Sequence, residues 1–190
     1  MKSNAFLAAL ILAAGLWPAP ARAQQAADKA AAKPPLTTYQ AVLDQWNDVG
    51  RKLTAMAEDF PEDKYDFKPN PTQRSFAEQL LHASGVNYFF TNPVMGKTPP
   101  AEENPKREEF KTKADVAAYV KKAFADGAAA LQAKGENGIN DLVMDPFSHR
   151  QVKVSDFAYG FIEHSGEHYG QLVSYYRVAG LVPPESRPKK

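Results

Sequence analysis

The sequence predicts an all-α fold, a bundle of four helices. Four segments repeat apolar residues at intervals of three or four, which collects those side chains on one face of a helix. Serine or threonine start signals precede three of the segments, and proline is frequent in two of the connections. No other long periodic segment is present, so helices packed on one another are the simplest architecture.

Residues 1–23 predict a signal peptide. Lys2 precedes a short apolar run, and the small-x-small sequence of residues 21–23 fits a cleavage site. The apolar run is too short to span a bilayer. Residues 24–36 are alanine-rich and polar and predict a disordered leader. The chain has no cysteine, which excludes disulfides and a lipid anchor, so we expect an exported, periplasmic protein.

The charge balance narrows the choice of partners. Removing Lys2 and Arg22 with the signal peptide reduces 23 basic residues to 21, against 22 acidic ones, a net charge of about −1. This balance argues against nucleic acid or an anionic membrane as a partner. A small-molecule substrate is compatible with it, and whether two copies form a homodimer stays open.

The first helix is predicted from about Thr37 to Glu58. Its apolar stripe consists of Val42, Trp46, Val49, Leu53 and Met56. An extended connection follows at residues 60–74, because its three prolines oppose helix, and its aromatic residues could dock on the bundle.

The second helix opens with a capping box of Ser75 and Glu78 and contains His82. Residues 91–111 hold four prolines, so we expect no regular element there. A crossover of about twenty residues is longer than antiparallel neighbours need, and it could return the chain so that helices two and three run parallel.

The third helix begins at Thr112, and Gly127 with nearby alanines predicts a close helix approach. Two short apolar runs within residues 135–154 predict a small hairpin. Ser155 is predicted to cap the fourth helix, which ends near Gly180. The folded domain is thus expected to span residues 37–184, followed by a tail at residues 185–190.

Three histidines are candidate metal ligands. His164 and His168 are four residues apart, which places two imidazoles on one helix face, about 5 to 6 Å apart at Cβ. Such a pair is often an accident of a polar face, but apolar residues surround this one, and burying two unpartnered imidazoles is costly. His82 is the only other histidine in a predicted helix, and we expect it to be the third ligand. His149 lies in a predicted loop and is expected to be solvated.

Two segments, FPEDKYDFKPNPTQRSFAEQLLHAS and EHSGEHYGQLVSYYRVAGLVPP, resemble the DinB (YfiT-like) family of four-helix bundles. The resemblance covers about residues 37–184. It implies an up-down-down-up topology with a long crossover between helices two and three. It also implies a divalent metal, zinc or nickel, held by His82, His164 and His168. Some relatives are thiol-dependent transferases and others are proposed hydrolases; the thiol cofactors are cytosolic, so an export signal argues against the transferase interpretation.

Two further residues could support the site. Glu78 lies one turn before His82 and could act as a catalytic base or orient the imidazole, although its role in the capping box competes with both. Gln171 follows His168 by three residues and could be a hydrogen-bond donor behind the ligands. The sequence HSGEH also matches the H-x-x-E-H signature of inverted zinc peptidases. Those enzymes take an acidic ligand from well downstream, and only 22 residues follow His168, so this match is weak.

Three histidines leave a coordination position for water or substrate, and a zinc-like ion can lower the pKa of that water to about 7. We therefore predict a metal-dependent enzyme, more hydrolase-like than transferase-like. The alternative is a noncatalytic metal-binding bundle or a stress-related interaction module. A cleft with an open coordination position favours catalysis, and a sealed site favours a structural role.

Overall fold

The computed structural model describes residues 33–188, and five α-helices dominate it. They are α1 (Thr38–Asp59), α2 (Phe76–Gly85), α3 (Tyr88–Val94), α4 (Lys113–Gly138) and α5 (Val154–Val178). Strands β1 (Leu142–Met144) and β2 (Gln151–Lys153) pair between α4 and α5, and single 3-10 turns occur at Glu62–Lys64, Arg107–Glu109 and Pro184–Ser186. The predicted signal peptide, and the leader up to residue 32, lie outside the described residues.

Helices α2 and α3 act as one helix of the bundle. Only Val86 and Asn87 separate them, and both keep right-handed helical backbone angles. Counting them together confirms the predicted all-α four-helix bundle, with an up-down-down-up topology and a long crossover at residues 95–112. Within residues 33–188, no helix combines the length and the apolar character needed to cross a bilayer.

Local sequence signals start three of these helices. The side chains of Thr37, Ser75 and Thr112 each accept a hydrogen bond from the backbone N–H of the residue three positions later. The side chain of that later residue in turn accepts a hydrogen bond from the backbone N–H of the threonine or serine. These capping boxes satisfy amides that the first helical turn leaves free. Helix α5 differs, and the prediction that Ser155 caps it is wrong. Strand β2 runs directly into α5, and the Ser155 N–H donates instead to the Ile139 carbonyl at 2.9 Å.

The prediction of no regular structure after residue 91 is also wrong in part. Helix α3 continues to Val94 with Pro93 inside its last turn. The turn closes without an N–H from Pro93, because the Met95 N–H donates to the Thr91 carbonyl at 3.1 Å. A proline is tolerated where other donors complete the helix end.

The core centres on Trp46 of α1, which is 1% exposed. Its indole N–H donates to the Phe124 carbonyl on α4 at 2.9 Å. At Gly127 of α4 an added Cβ would lie 2.6 Å from Trp46 Cε2, so the close helix approach predicted there is confirmed. The aromatic residues after α1 dock as expected: Phe60 is fully buried and stacks on Phe76, with ring centroids 3.8 Å apart.

Both chain segments that flank the last helix pack on the bundle. The predicted hairpin forms with Val143 opposite Val152, and Phe147 in its turn stacks on Phe89 of α3 at 5.1 Å between ring centroids. After α5, the segment predicted as a tail returns to α1. There Glu185 accepts from Arg51 at 2.6 Å.

Candidate metal centre

The three predicted histidine ligands meet inside the bundle. His82 extends from α2, and His164 and His168 extend from α5 one turn apart. Their ring centroids are 4.3 to 5.2 Å apart, and one nitrogen from each ring lies within 4.8 Å of the other two. His82 and His168 are only 8% and 6% exposed, and His164 is half-buried. The rings therefore face one another rather than bulk water.

The nitrogen spacing can be compared with a zinc site. Zinc–nitrogen bonds of 2.0–2.1 Å in a tetrahedron hold the nitrogens about 3.3 Å apart. His164 Nε2 and His168 Nε2 are 3.0 Å apart, so this pair already has the spacing of two ligands of one ion. The widest nitrogen separation, at most 4.8 Å, is about 1.5 Å too long and would close through small side-chain rotations.

Asn104 orients His82. Its amide oxygen lies 2.8 Å from His82 Nδ1, and an amide oxygen can only accept, so the proton of the neutral ring is on Nδ1. The Nε2 lone pair is then free for a metal ion. A ligating histidine almost always donates its second ring N–H to such an acceptor.

Gln79 contacts His168. The residue is 2% exposed, its amide nitrogen lies 2.6 Å from His168 Nδ1, and the same nitrogen donates to the amide oxygen of Gln171. An amide presents a donor or an acceptor according to how it is turned. If the oxygen and nitrogen positions of both amides are exchanged, the Gln79 oxygen accepts from Nδ1–H and leaves the Nε2 atom of His168 free to bind an ion. Gln171, predicted to stand behind the ligands, therefore lies beside His168 and contacts Gln79.

The electrostatic environment keeps all three rings neutral. Burial lowers the pKa of His168 to about 4, and the repulsion that His168 would feel if His164 or His82 were protonated lowers it further. Burial, then the charge of Arg74, lowers the pKa of His82, and burial, then His82, lowers that of His164. Neutral imidazole is the form that binds metal. The buried Nδ1 of His164 also has no hydrogen-bond partner among the described residues.

Glu78 and His149 lie apart from this group. Glu78 accepts from the Ser75 N–H at 2.6 Å and lies 3.4 Å from Lys68 Nζ, so the capping role that the sequence indicated is present. That backbone hydrogen bond is the main cause of the lowered pKa of Glu78. His149 is exposed in the hairpin turn with a φ of 54°. Neither residue is among the three that could share an ion.

A cleft of about 500 Å³ opens beside the histidines, and His82 and His164 line it. Helix α5, the hairpin and Glu103 of the crossover supply most of its remaining wall. The apolar part consists of Val86, Phe147, Val152, Phe157, Gly160 and Phe161. The polar part consists of Glu103, Asp145 and Asp156. Phe147 is 50% exposed, so the cleft opens to solvent at the hairpin.

Sequence reasoning missed the residues behind and around the ligands. Gln79 lies three positions before His82, one helical turn away, and that spacing could have suggested it. Asn104 and Glu103 lie in the irregular crossover, where no periodicity connects them to a helix. The donor set, three neutral imidazoles with two oriented by amides, fits a divalent metal ion.

Comparisons with known proteins identify the family and the fold of the chain. The sequence profile of the DinB superfamily matches residues 45–172. A DinB-like protein of Bacillus cereus superposes with a TM-score of 0.62 at 18% identity, covering 75% of this chain and 93% of that one. A DinB-like protein of Bacillus subtilis gives a TM-score of 0.58 at 20% identity, covering 78% and 99%.

A third solved structure is YfiT of Bacillus subtilis, described as a probable metal-dependent hydrolase with an unusual four-helix bundle topology. It has a TM-score of 0.59 at 14% identity and covers 78% of this chain and 94% of its own. Among curated proteins, none matches the sequence.

Proposed function

This chain belongs to the DinB superfamily, and from that premise we propose that it is a metal-dependent hydrolase whose divalent ion is held by His82, His164 and His168. Two further observations support the proposal. The three imidazoles share one small volume, and YfiT, which has the same fold, is described as a probable metal-dependent hydrolase. Zinc or nickel suits three nitrogen donors.

The observation that carries a catalytic role is the cleft. His82 and His164 form part of its wall, so an ion held by them would face a space large enough for a substrate. A purely structural zinc site is closed by a fourth protein ligand. Within residues 33–188, no fourth histidine, cysteine or carboxylate joins the group. This arrangement favours catalysis over the noncatalytic alternative.

Several residues of the chain would have distinct roles in hydrolysis. The bound ion supplies Lewis acidity, which polarises a substrate oxygen and acidifies water. Asn104 would hold His82 with its Nε2 atom toward the ion, Gln79 would do the same for His168 with its amide oxygen turned toward Nδ1, and the apolar wall would limit the access of bulk water to the reacting groups. Glu103 lines the same cleft beside Asn104, and we assign its carboxylate the role of general base.

Metal analysis with matched variants tests the proposal. We expect about one ion per purified chain, and nearly none in the His164→Ala, His168→Ala double variant. His149→Asn is the control, because it removes the exposed fourth histidine and keeps a residue that tolerates a positive φ. Equal, sub-stoichiometric metal in wild type and double variant would exclude the site. Hydrolysis of model esters and amides should then follow metal content through stripping and reloading.

Export to the periplasm is part of this proposal and rests on the predicted signal peptide at residues 1–23. N-terminal sequencing of the protein from a periplasmic fraction provides the test. A first residue near Gln24 is expected, whereas an intact Met1 in the cytoplasmic fraction would exclude export.

A further inference from the structure

We propose that the cleft beside the histidines selects substrates that carry an ammonium group on an apolar body. The inference rests on the proposed function, since it names the substrate class for that site. Three features support it, namely aromatic walls, carboxylates without ion pairs, and the separation of basic side chains into another groove.

The wall offers ring surfaces of the kind that attract cations. Phe157 and Phe161 are neighbours on α5, with ring centroids 5.2 Å apart and planes at 78°, and both line the cleft. Phe147 reaches the cleft from the hairpin turn. Aromatic faces attract ammonium and quaternary ammonium groups through the ring quadrupole. The same rings would bury the apolar body of a ligand.

Three carboxylates surround these rings. Glu103, Asp145 and Asp156 line the cleft, and no lysine or arginine does. The described part of the chain has nine ion pairs, none of which includes these three carboxylates. Their negative charge is thus not balanced by a neighbouring base. A cleft lined by one sign of charge with apolar walls concentrates the field and attracts the opposite charge.

Asp145 is held in place rather than mobile. It accepts from the Phe147 N–H at 2.9 Å and from the Ser148 hydroxyl. Partial burial raises the pKa of Asp145, but these hydrogen bonds outweigh the burial and leave it below its usual value. The hairpin turn therefore fixes a negative charge two residues before Phe147, and both residues line the cleft, as would suit an ammonium group.

The basic residues nearest the cleft line a different groove, although the charge of Arg74 still reaches His82. Lys68, Arg74 and Lys106 line a separate groove together with Asn104, the residue that orients His82. An anionic ligand would meet three like charges in the cleft, which outnumber the two positive charges of a bound divalent ion, and a neutral one would cover the carboxylates without pairing them. A cation with an apolar body would pair with the carboxylates and pack against the apolar residues of the wall. The cleft volume of about 500 Å³ is typical of a small-molecule site.

Binding of three matched probes tests the inference. Each has a phenylbutyl body and carries trimethylammonium, hydroxyl or carboxylate at its end, and the quaternary ammonium group cannot coordinate a metal. Calorimetry with the metal-stripped full protein should rank cation above alcohol above carboxylate, with the cation at least about tenfold tighter than the alcohol. This preference should shrink as salt is added. Equal affinity for cation and alcohol, or tighter binding of the carboxylate, would overturn the inference.

Charge variants locate the effect. Asp156→Asn should reduce the cation preference several-fold, whereas Glu102→Gln, which removes an equal charge from an exposed residue outside the cleft, should leave it unchanged. Equal losses in both would attribute the preference to net charge and refute the cleft. The probes are tested on metal-stripped protein, so this result does not depend on metal binding. A protein that prefers the cation but binds no metal would disprove the hydrolase proposal and leave this inference standing. Stoichiometric metal with no cation preference would disprove this inference alone.

Discussion

Replacing Gln79 with leucine tests whether the amide behind His168 prepares that ring for a metal ion. Gln79 is 2% exposed, and its amide lies 2.6 Å from His168 Nδ1. Leucine fills a similar volume but offers no polar atom. Removing the partner of a ligating histidine weakens metal binding about 10- to 100-fold, which corresponds to about 1.4 to 2.8 kcal/mol.

A competition titration of Zn²⁺ against a chromophoric chelator measures this loss, with circular dichroism to show that the helices remain. Gln79→Glu should bind within about tenfold of wild type, because a carboxylate only accepts hydrogen bonds and therefore holds the proton on His168 Nδ1. Gln73→Leu is the control, since it makes the same change at an exposed residue before α2. A folded Gln79→Leu variant with wild-type affinity would refute the orienting role.

Three further predictions concern the stability of the fold. Gly127→Ala should lower the free energy of unfolding, measured by urea denaturation, by about 1 to 2 kcal/mol, because overpacking against Trp46 outweighs the gain in helix propensity. An unchanged free energy would show that the Trp46 side chain can move to make room. Gly166→Ala should raise the free energy of unfolding by about 0.5 to 1 kcal/mol, since Gly166 lies in a helix and an added Cβ would have no neighbour within 4 Å. A lower free energy of unfolding would contradict this prediction. The hydrogen bond from Arg187 lowers the pKa of Asp59 below 3.8, so this pair contributes above about pH 4 and loses its contribution as the pH falls. Arg187→Gln should lower the free energy of unfolding more at pH 7 than at acid pH, where Asp59 is protonated and only the hydrogen bonds of Arg187 to the Val182 carbonyl are lost; an equal loss at both pH values would refute the pairing.

The bundle and the His164–His168 pair followed from the sequence because both depend on short-range spacing. Apolar residues such as Trp46 and Leu53 recur with the helical period, and their burial in the core follows directly. His164 and His168 are neighbours because any α-helix brings residues four apart together. The expectation that His82 joins them rested on its being the only other histidine in a predicted helix and on the family resemblance, since no local spacing connects it to α5.

The surroundings of the site could not be predicted in the same way. Asn104 reaches His82 from a crossover without regular structure, so only the folded backbone brings the two side chains together. The wall formed by Phe147 depends on where a hairpin of three-residue strands docks, and strands that short carry no clear periodicity. The continuation of α3 through Pro93 was missed for a related reason, because the donor that completes its last turn comes from Met95.

The candidate ligands come from opposite parts of the chain, since His82 precedes His164 by 82 positions. The unfolded polypeptide therefore has only the His164–His168 pair at short range, and a tight complex must wait until α2 and α5 have docked. Ion occupancy and folding are then thermodynamically linked, and a free ion at about 100 times its Kd would add about 2.7 kcal/mol to the free energy of unfolding. A substitution that loosens the contact between these two helices would lower metal affinity without altering any donor atom.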